Sequence, residues 1–334
     1  MGFDAEALQR LLLGDPETRR ALGGGWRAPG GFRGRGAGGA GARRAGVDFV
    51  DRWLRSSDNL APHLLLVGRT GAGKTTAART LLLRAIRQHF YDIVVLDWDA
   101  EYLEVPLPVF TPPFRIAAPP PLVADALAEV ERAEEGGHMV AAHLRKALAA
   151  APSLEKAAER LRADISLSVT PLRGVLEAAA ARLEIVAKHV EFVPLDALPQ
   201  PGGLQEGIYL LSEIASIWER ASIQQFLAVF HTLARRSPIP PSLLVVEEGG
   251  MGARTTFLRH LLALARRRNI RLIFVTQGPL LSPELRQNFE VLLFDSDPEL
   301  RRALRAAIPD GNLEPGECWH VRRDGTAKKL RFKR

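Results

Sequence analysis

The 334-residue chain predicts an α/β fold: a mainly parallel sheet covered on both faces, interrupted by a helical insertion and closed by a C-terminal β-hairpin. Three observations carry this. Apolar runs of strand length ("HLLLVG", "DIVVLD", "PSLLVVEE", "RLIFVTQ", "EVLLFD") alternate with helical stretches, the order that builds a parallel sheet buried on both sides. Between about 115 and 205 the chain turns Ala-, Leu-, Glu- and Arg-rich with helical spacing. The ending "ECWHVRRDGTAKKLRFKR" reads as two short strands turning at Asp324-Gly325.

Taken in order, residues 1–60 predict a short N-terminal helix and then an arm. Leu8, Leu11, Leu12 and Leu13 lie on or near one helical face, and "GGGWRAPGGFRGRGAGGAGARRAG" is too rich in Gly and Arg to bury a core. Order is expected to resume at the amphipathic "VDFVDRWLRSS" and to continue as the core, residues 61–334. There "HLLLVG" is a buried strand and "KTTAARTLLLRAIRQHF" a helix; "DIVVLDWDAEYLEV" is a second strand ending in acids. Two proline clusters, "PLPVFTPPF" and "AAPPP", mark the break before the helical insertion. "LQEGIYLLSEI" then holds a short strand and "WERASIQQFLAVFHTLARR" a helix. Three strands follow, with the helix "TTFLRHLLALARRR" between the first two.

Composition sets bounds. Hydrophobic residues make up 46% and charged ones 25%, ordinary for a globular protein. No apolar run reaches membrane-spanning length. A single cysteine, Cys318, excludes an internal disulfide and a cysteine metal cluster, so a cytoplasmic location is expected. From Trp26 to Arg44 there are five arginines and no acid; from Cys318 to Arg334, seven Lys or Arg stand against one Asp. Clustered positive charge points to a polyanion such as nucleic acid. A solvated tail, or lysines protecting a last strand from edge pairing, would read the same way.

The most specific stretch is Gly68-Arg69-Thr70-Gly71-Ala72-Gly73-Lys74-Thr75, followed by Thr76. It satisfies the P-loop pattern between a strand and a helix. Backbone N–H groups converge there on phosphate oxygens at the positive end of the helix dipole. Lys74 is expected to bridge the β- and γ-phosphates of ATP and Thr75 to hold Mg²⁺. Further along, "LLVVEE" ends in Glu247 and Glu248. By position Glu247 is expected near the metal, and Glu248 at the attacking water. Gln277 closes "LIFVTQ" at the strand end where ligands bind in open α/β sheets; it could sense the γ-phosphate, position water, or simply end the strand. Trp98 and Trp319 invite a base-stacking reading, but core packing is the better account of both. His231 and His260 lack ligand-spaced partners and are given no metal.

Together "GRTGAGKTT", "LDWDAEY", "IYLLSEI", "LLVVEEGG", "ARRRNIRLIFVTQGP" and "EPGECWHVRRDG" resemble, in order and spacing, the HerA–FtsK superfamily of P-loop DNA motors, with HerA-like and VirB4-like ATPases the nearest pattern. The resemblance covers residues 61 to about 322. It implies a RecA-like core, ATP and Mg²⁺ as cofactors, a homo-oligomeric and usually hexameric ring, and movement of double-stranded DNA. It also implies an arginine acting on a neighbour's phosphate; alignment on Thr276-Gln277 puts Arg266 there, with Arg267 beside it. Glu247 stands where the family usually has Asp, and "GGMGAR" lacks the usual His. About 60 residues precede the core, little room for the β-barrel of true HerA proteins. That moves weight from a nuclease-partnered helicase toward a capsid or secretion-channel partner. Two other classes stand beside the motor: an ATP-dependent assembly or switch protein with weak hydrolysis, which the Glu247 substitution favours, and a small-molecule phosphotransferase.

Overall fold

The computed structural model describes residues 49–332, apart from 56–62, 89–91, 133–136, 194–196, 199–202, 236–241, 248–254, 278–285, 305–307, 309–312 and breaks of one or two residues at 152, 169, 296–297, 315 and 323. All of these fall in one unit, residues 42–334. The expected N-terminal helix and Gly/Arg arm lie outside the described residues.

The described part of the chain begins with a helical stretch at 49–55, followed by β1 (His63–Val67), α1 (Lys74–Gln88) and β2 (Asp92–Asp97). Short strands β3 (Val109–Phe110) and β4 (Phe114–Ala117) precede four helices: α2 (Pro120–Arg132), α3 (Gly137–Ala149), α4 (Leu154–Ser166) and α5 (Thr170–His189). Next come β5 (Val190–Val193), β6 (Gly207–Leu210), α6 (Ile217–Ala234), β7 (Ser242–Glu247), α7 (Thr255–Arg267), β8 (Ile270–Thr276) and β9 (Phe289–Leu293). A short α8 (Pro298–Ala303) and the hairpin β10 (Glu317–Val321) and β11 (Ala327–Arg331) complete it.

Among the described residues, nine strands form one sheet in the order β11-β10-β9-β1-β8-β7-β2-β6-β3. From β9 to β3 every pairing is parallel, and the hairpin adds antiparallel strands at one edge. Side chains alternate along each strand, so each strand feeds two cores. Leu64 and Leu66 pack with Ala77, Ala78 and Leu81 of α1 and with Phe49 and Trp53 of the first helix. Leu65 and Val67 face the other layer, with α6, α7 and the four-helix insertion. A fully buried Leu contributes about 1.5–3 kcal/mol, which is why every β1 position is apolar except His63.

Polar ties fix the insertion to the core. Glu129 of α2 accepts a bond from Arg145 of α3 at 3.2 Å and lies 2.8 Å from His260 Nε2 of α7. At the other end, Glu219 on the first turn of α6 meets Lys188 and His189, both at 2.8 Å. Ser216 caps that helix by accepting from the Glu219 N–H at 3.3 Å.

Two elements differ from the sequence reading. The second strand ends at Asp97, and "WDAEYLEV" folds back as turns. "VEFV", expected within helix, is a strand that pairs in parallel with β4, Phe114 opposite Val190, in a separate two-stranded sheet. No described helix is long and apolar enough to cross a membrane.

Candidate functional site

Parallel strands deliver their loops to one edge of the sheet, and the P-loop leaves β1 at that edge. Its start is held from both sides: Gly68 N–H donates to the Thr276 carbonyl at 3.3 Å, and Phe294 N–H donates to the Val67 carbonyl at 2.8 Å. Gly73 has φ 103°, a conformation side chains disfavour, and its Cβ position faces Gly316 Cα at 3.5 Å. Arg69 is held by Asp295, which follows β9, through its backbone N–H at 3.3 Å and its Nε at 3.1 Å.

The Lys74 side chain is 8% exposed. Its Nζ folds back over the loop, donating to the Gly68 carbonyl at 2.6 Å and the Arg69 carbonyl at 2.9 Å. A buried ammonium must be hydrogen-bonded or pay for its lost hydration, and these carbonyls satisfy it. The Thr75 hydroxyl donates to Glu101 Oε2.

Glu101 reaches Thr75 because the turn after β2 is braced. Asp97, at the strand's end, accepts the Glu101 N–H and the Tyr102 N–H, each at 3.0 Å. The reversal passes through Ala100 at φ 58°. Arg79, one helical turn beyond Thr75 on α1, donates through Nε to the Glu101 carbonyl at 2.7 Å and through Nη1 to Glu104 at 2.9 Å.

Glu247 ends β7, beside β2, and its carboxyl faces that of Asp97. Burial, and then the nearby Asp97 and Glu101 charges, push the Glu247 carboxyl well above the usual carboxylate range. Burial also raises Asp97, against the hydrogen bonds that favour its charged form. Asp97 already accepts two backbone N–H groups, so its charged form is the better satisfied of the two, and burial weighs more heavily against charge on Glu247. Glu247 Oε2 is buried without a hydrogen-bond partner, as are Tyr102 Oη and Gln224 Oε1, while Gln224 Nε2 donates to the Glu247 carbonyl. An orphaned carboxylate oxygen beside a P-loop is a position a divalent cation would satisfy. Among the described residues no three acidic, His or Cys side chains form a ready cage. A cation held here would therefore also need oxygens from a bound nucleotide, as Mg²⁺ commonly does.

Of the other expected site residues, Gln277 is exposed immediately after β8, whose Thr276 pairs with Val67 at the P-loop. Glu248 lies outside the described residues. Arg266 is elsewhere: it is exposed near the end of α7, and its charge reaches His63 at the start of β1. Val67 lies four steps along the strand from His63, roughly 13 Å, so Arg266 sits toward the edge of the sheet opposite its own P-loop. Trp98 and Trp319 are buried, and Arg220 lies 5.0 Å over the Trp98 ring. The sequence reading gave no role to Glu101, Asp97, Arg79 or Asp295. "LDWDAEY" was a signal for the first two; the partners of Arg79 and Asp295 are distant in sequence and left none.

Residues 50–162 match the family model described as the central domain of helicase HerA. No curated protein matches the chain. Among solved structures, VirB4 of Thermoanaerobacter pseudethanolicus is similar with a TM-score of 0.57 at 17% identity, over 84% of this chain and 91% of that one. The plasmid coupling protein TrwB in complex with the GTP analogue GDPNP gives 0.57 at 14% identity, over 85% of each chain. TrwB with ADP and Mg²⁺ gives 0.54 at 14% identity, over 83% and 79%. The fold is thus that of the RecA-like P-loop NTPases.

Proposed function

We propose that this P-loop protein of HerA–FtsK type is an ATP-driven motor that moves double-stranded DNA through a homo-oligomeric ring. The observation that carries the reading is the convergence, at one sheet edge, of the P-loop with Lys74 and Thr75, the acids Asp97, Glu101 and Glu247, and Gln277. In the proposed cycle Lys74 exchanges its loop carbonyls for the β- and γ-phosphates of ATP. Thr75 and Glu247 would hold Mg²⁺, which would supply positive charge against the phosphates. Glu248 orients the attacking water and Gln277 senses the γ-phosphate. Arg266, remote from its own P-loop, serves the site of a neighbouring subunit. The Arg-rich arm and the basic C-terminal stretch supply sequence-blind phosphate contacts. The nucleotide-bound TrwB structures and the HerA-domain match support the nucleotide and DNA parts of this reading.

One observation favours a second reading, a nucleotide-dependent switch with weak hydrolysis. Glu247 is buried against Asp97, and burial with the neighbouring charge opposes its ionisation, which disfavours the carboxylate form that a cation needs.

Steady-state ATPase activity with and without linear duplex DNA, at two salt concentrations and with Lys74→Ala as the blank, tests both. Duplex stimulation that fades with salt is the expected result. Turnover indifferent to DNA refutes the motor and turns attention to small-molecule acceptors, and tight ATP binding without turnover selects the switch.

A further inference from the structure

Glu101 is given no step in the proposed cycle, yet its carboxylate is the group that meets the Thr75 hydroxyl. We infer that Glu101 is a third protein ligand of the nucleotide-bound divalent cation, held against Thr75 by a purpose-built turn. The inference rests on the proposed Mg²⁺–nucleotide site and deepens it.

The placement is over-determined from four directions. Asp97 fixes the Glu101 and Tyr102 amides, and Arg79 fixes the Glu101 carbonyl from the same helix that carries Thr75. The Tyr102 carbonyl then accepts from the Val105 N–H at 2.9 Å, closing the turn on its far side. Tyr102 is itself fully buried among α1-facing residues. A surface glutamate would be free to leave the threonine; this one has its backbone pinned on both sides of the peptide. A hydroxyl oriented toward a carboxylate is also arranged as a cation requires, because both present oxygen lone pairs once the intervening proton bond is given up.

A second observation points to a ligand independently. Glu247 Oε2 is buried and unpartnered, and Glu101 is close enough for its charge to act on the Glu247 carboxyl. Thr75 and Glu101 are thus in contact, and Glu247 ends the strand beside the one that leads into the Glu101 turn. Mg²⁺ suits such a site because it takes one or two carboxylates and completes its octahedron with phosphate oxygens and water.

The test is direct cation binding rather than turnover. Mn²⁺ is titrated into the full chain saturated with a non-hydrolysable ATP analogue and followed by electron paramagnetic resonance; analogue binding is measured separately in EDTA. Glu101→Gln should bind the analogue in EDTA as the wild type does, yet bind Mn²⁺ about tenfold or more weaker. Glu101→Asp, which keeps the charge on a shorter stem, should recover part of that loss. Mn²⁺ affinity within twofold of wild type in Glu101→Gln overturns the inference and leaves the nucleotide site standing. Equal loss of analogue binding in EDTA overturns it too, because Glu101 would then only be holding the P-loop in shape. A wild type that takes up neither analogue nor Mn²⁺ overturns both this inference and the proposed function.

Discussion

Acidification should destabilise the fold through two buried histidines, and His231 gives the cleaner measurement. Its Nε2 lies 2.8 Å from Ser242 Oγ. Ser242 already donates its hydroxyl proton to the Asp92 carbonyl at 2.9 Å, so the imidazole is the donor in that contact. Nδ1 is buried with no partner, and a proton there would make an unsatisfied cation. Burial, with Arg235 nearby, lowers the His231 pKa from 6.5 to about 3. In the unfolded chain His231 titrates normally, so unfolding takes up a proton at any pH between those values. The stability due to this depressed pKa is complete above 6.5 and is lost as pH falls toward 3. From pH 7.5 to 5 the loss is about 2 kcal/mol, at about 1.4 kcal/mol per pH unit below 6.5. His63, similarly lowered to about 3 by burial and by Arg266 and Arg271, adds a similar amount. The assay is urea unfolding of wild type and His231→Gln across that pH range. Gln keeps a donor for Ser242 and cannot be protonated, so the variant should lose about 2 kcal/mol less than wild type. Parallel pH curves for the two proteins would refute the reasoning, whatever their offset.

Gly316→Ala should cost about 1–3 kcal/mol, read as a lower thermal midpoint. Gly316 has φ 82°, and an added Cβ would sit 2.6 Å from the Phe332 carbonyl oxygen. Arg220→Ala should cost about 2–3 kcal/mol in chemical unfolding, because Arg220 donates to the Trp98, Ser212 and Ile214 carbonyls at 3.3, 3.2 and 2.9 Å. A loss below about 0.5 kcal/mol, the usual scale for a surface change, would mean that solvent replaces those bonds at no cost.

The sheet was legible because its strands are buried on both faces. An apolar run such as "LLVVE" ends at the residue where the sheet edge begins, so Glu247 could be placed from sequence alone. The P-loop was legible for a different reason: close backbone approach to phosphate admits few spellings. The β4–β5 pair was not, since "FRIA" and "VEFV" are four residues each and their pairing spans the whole helical insertion. Glu101 illustrates the remaining gap. Its residue was visible inside "LDWDAEY", but its role depends on a chain reversal at Ala100 and on Arg79, 22 positions away. Period and propensity carry no information about such a contact. The sequence reading ran the strand through those residues, which would have sent alternate side chains to opposite faces.

The position of Arg266 converts the ring proposal into a quantitative experiment. Its proximity to His63 places it toward the edge of the sheet away from Lys74, so in its own subunit it cannot stabilise charge on the bound phosphate. If it acts across an interface, Lys74→Ala and Arg266→Ala fail for separable reasons: one subunit lacks the phosphate clamp, the other lacks the arginine it lends. Each variant alone should lose ATP turnover, Arg266→Ala by about 10³-fold or more. In a ring assembled from equal amounts of both, an interface is complete when an Arg266→Ala subunit supplies the P-loop and a Lys74→Ala subunit supplies the arginine. Random assembly makes this happen at about one interface in four. Mixing two nearly inactive proteins should therefore restore about a quarter of wild-type turnover if sites fire independently, and less if a ring must fire in sequence. Subunit exchange must be followed in parallel, for instance by energy transfer between labelled copies. Exchange without recovery would remove Arg266 from the mechanism, and so would wild-type turnover in Arg266→Ala alone.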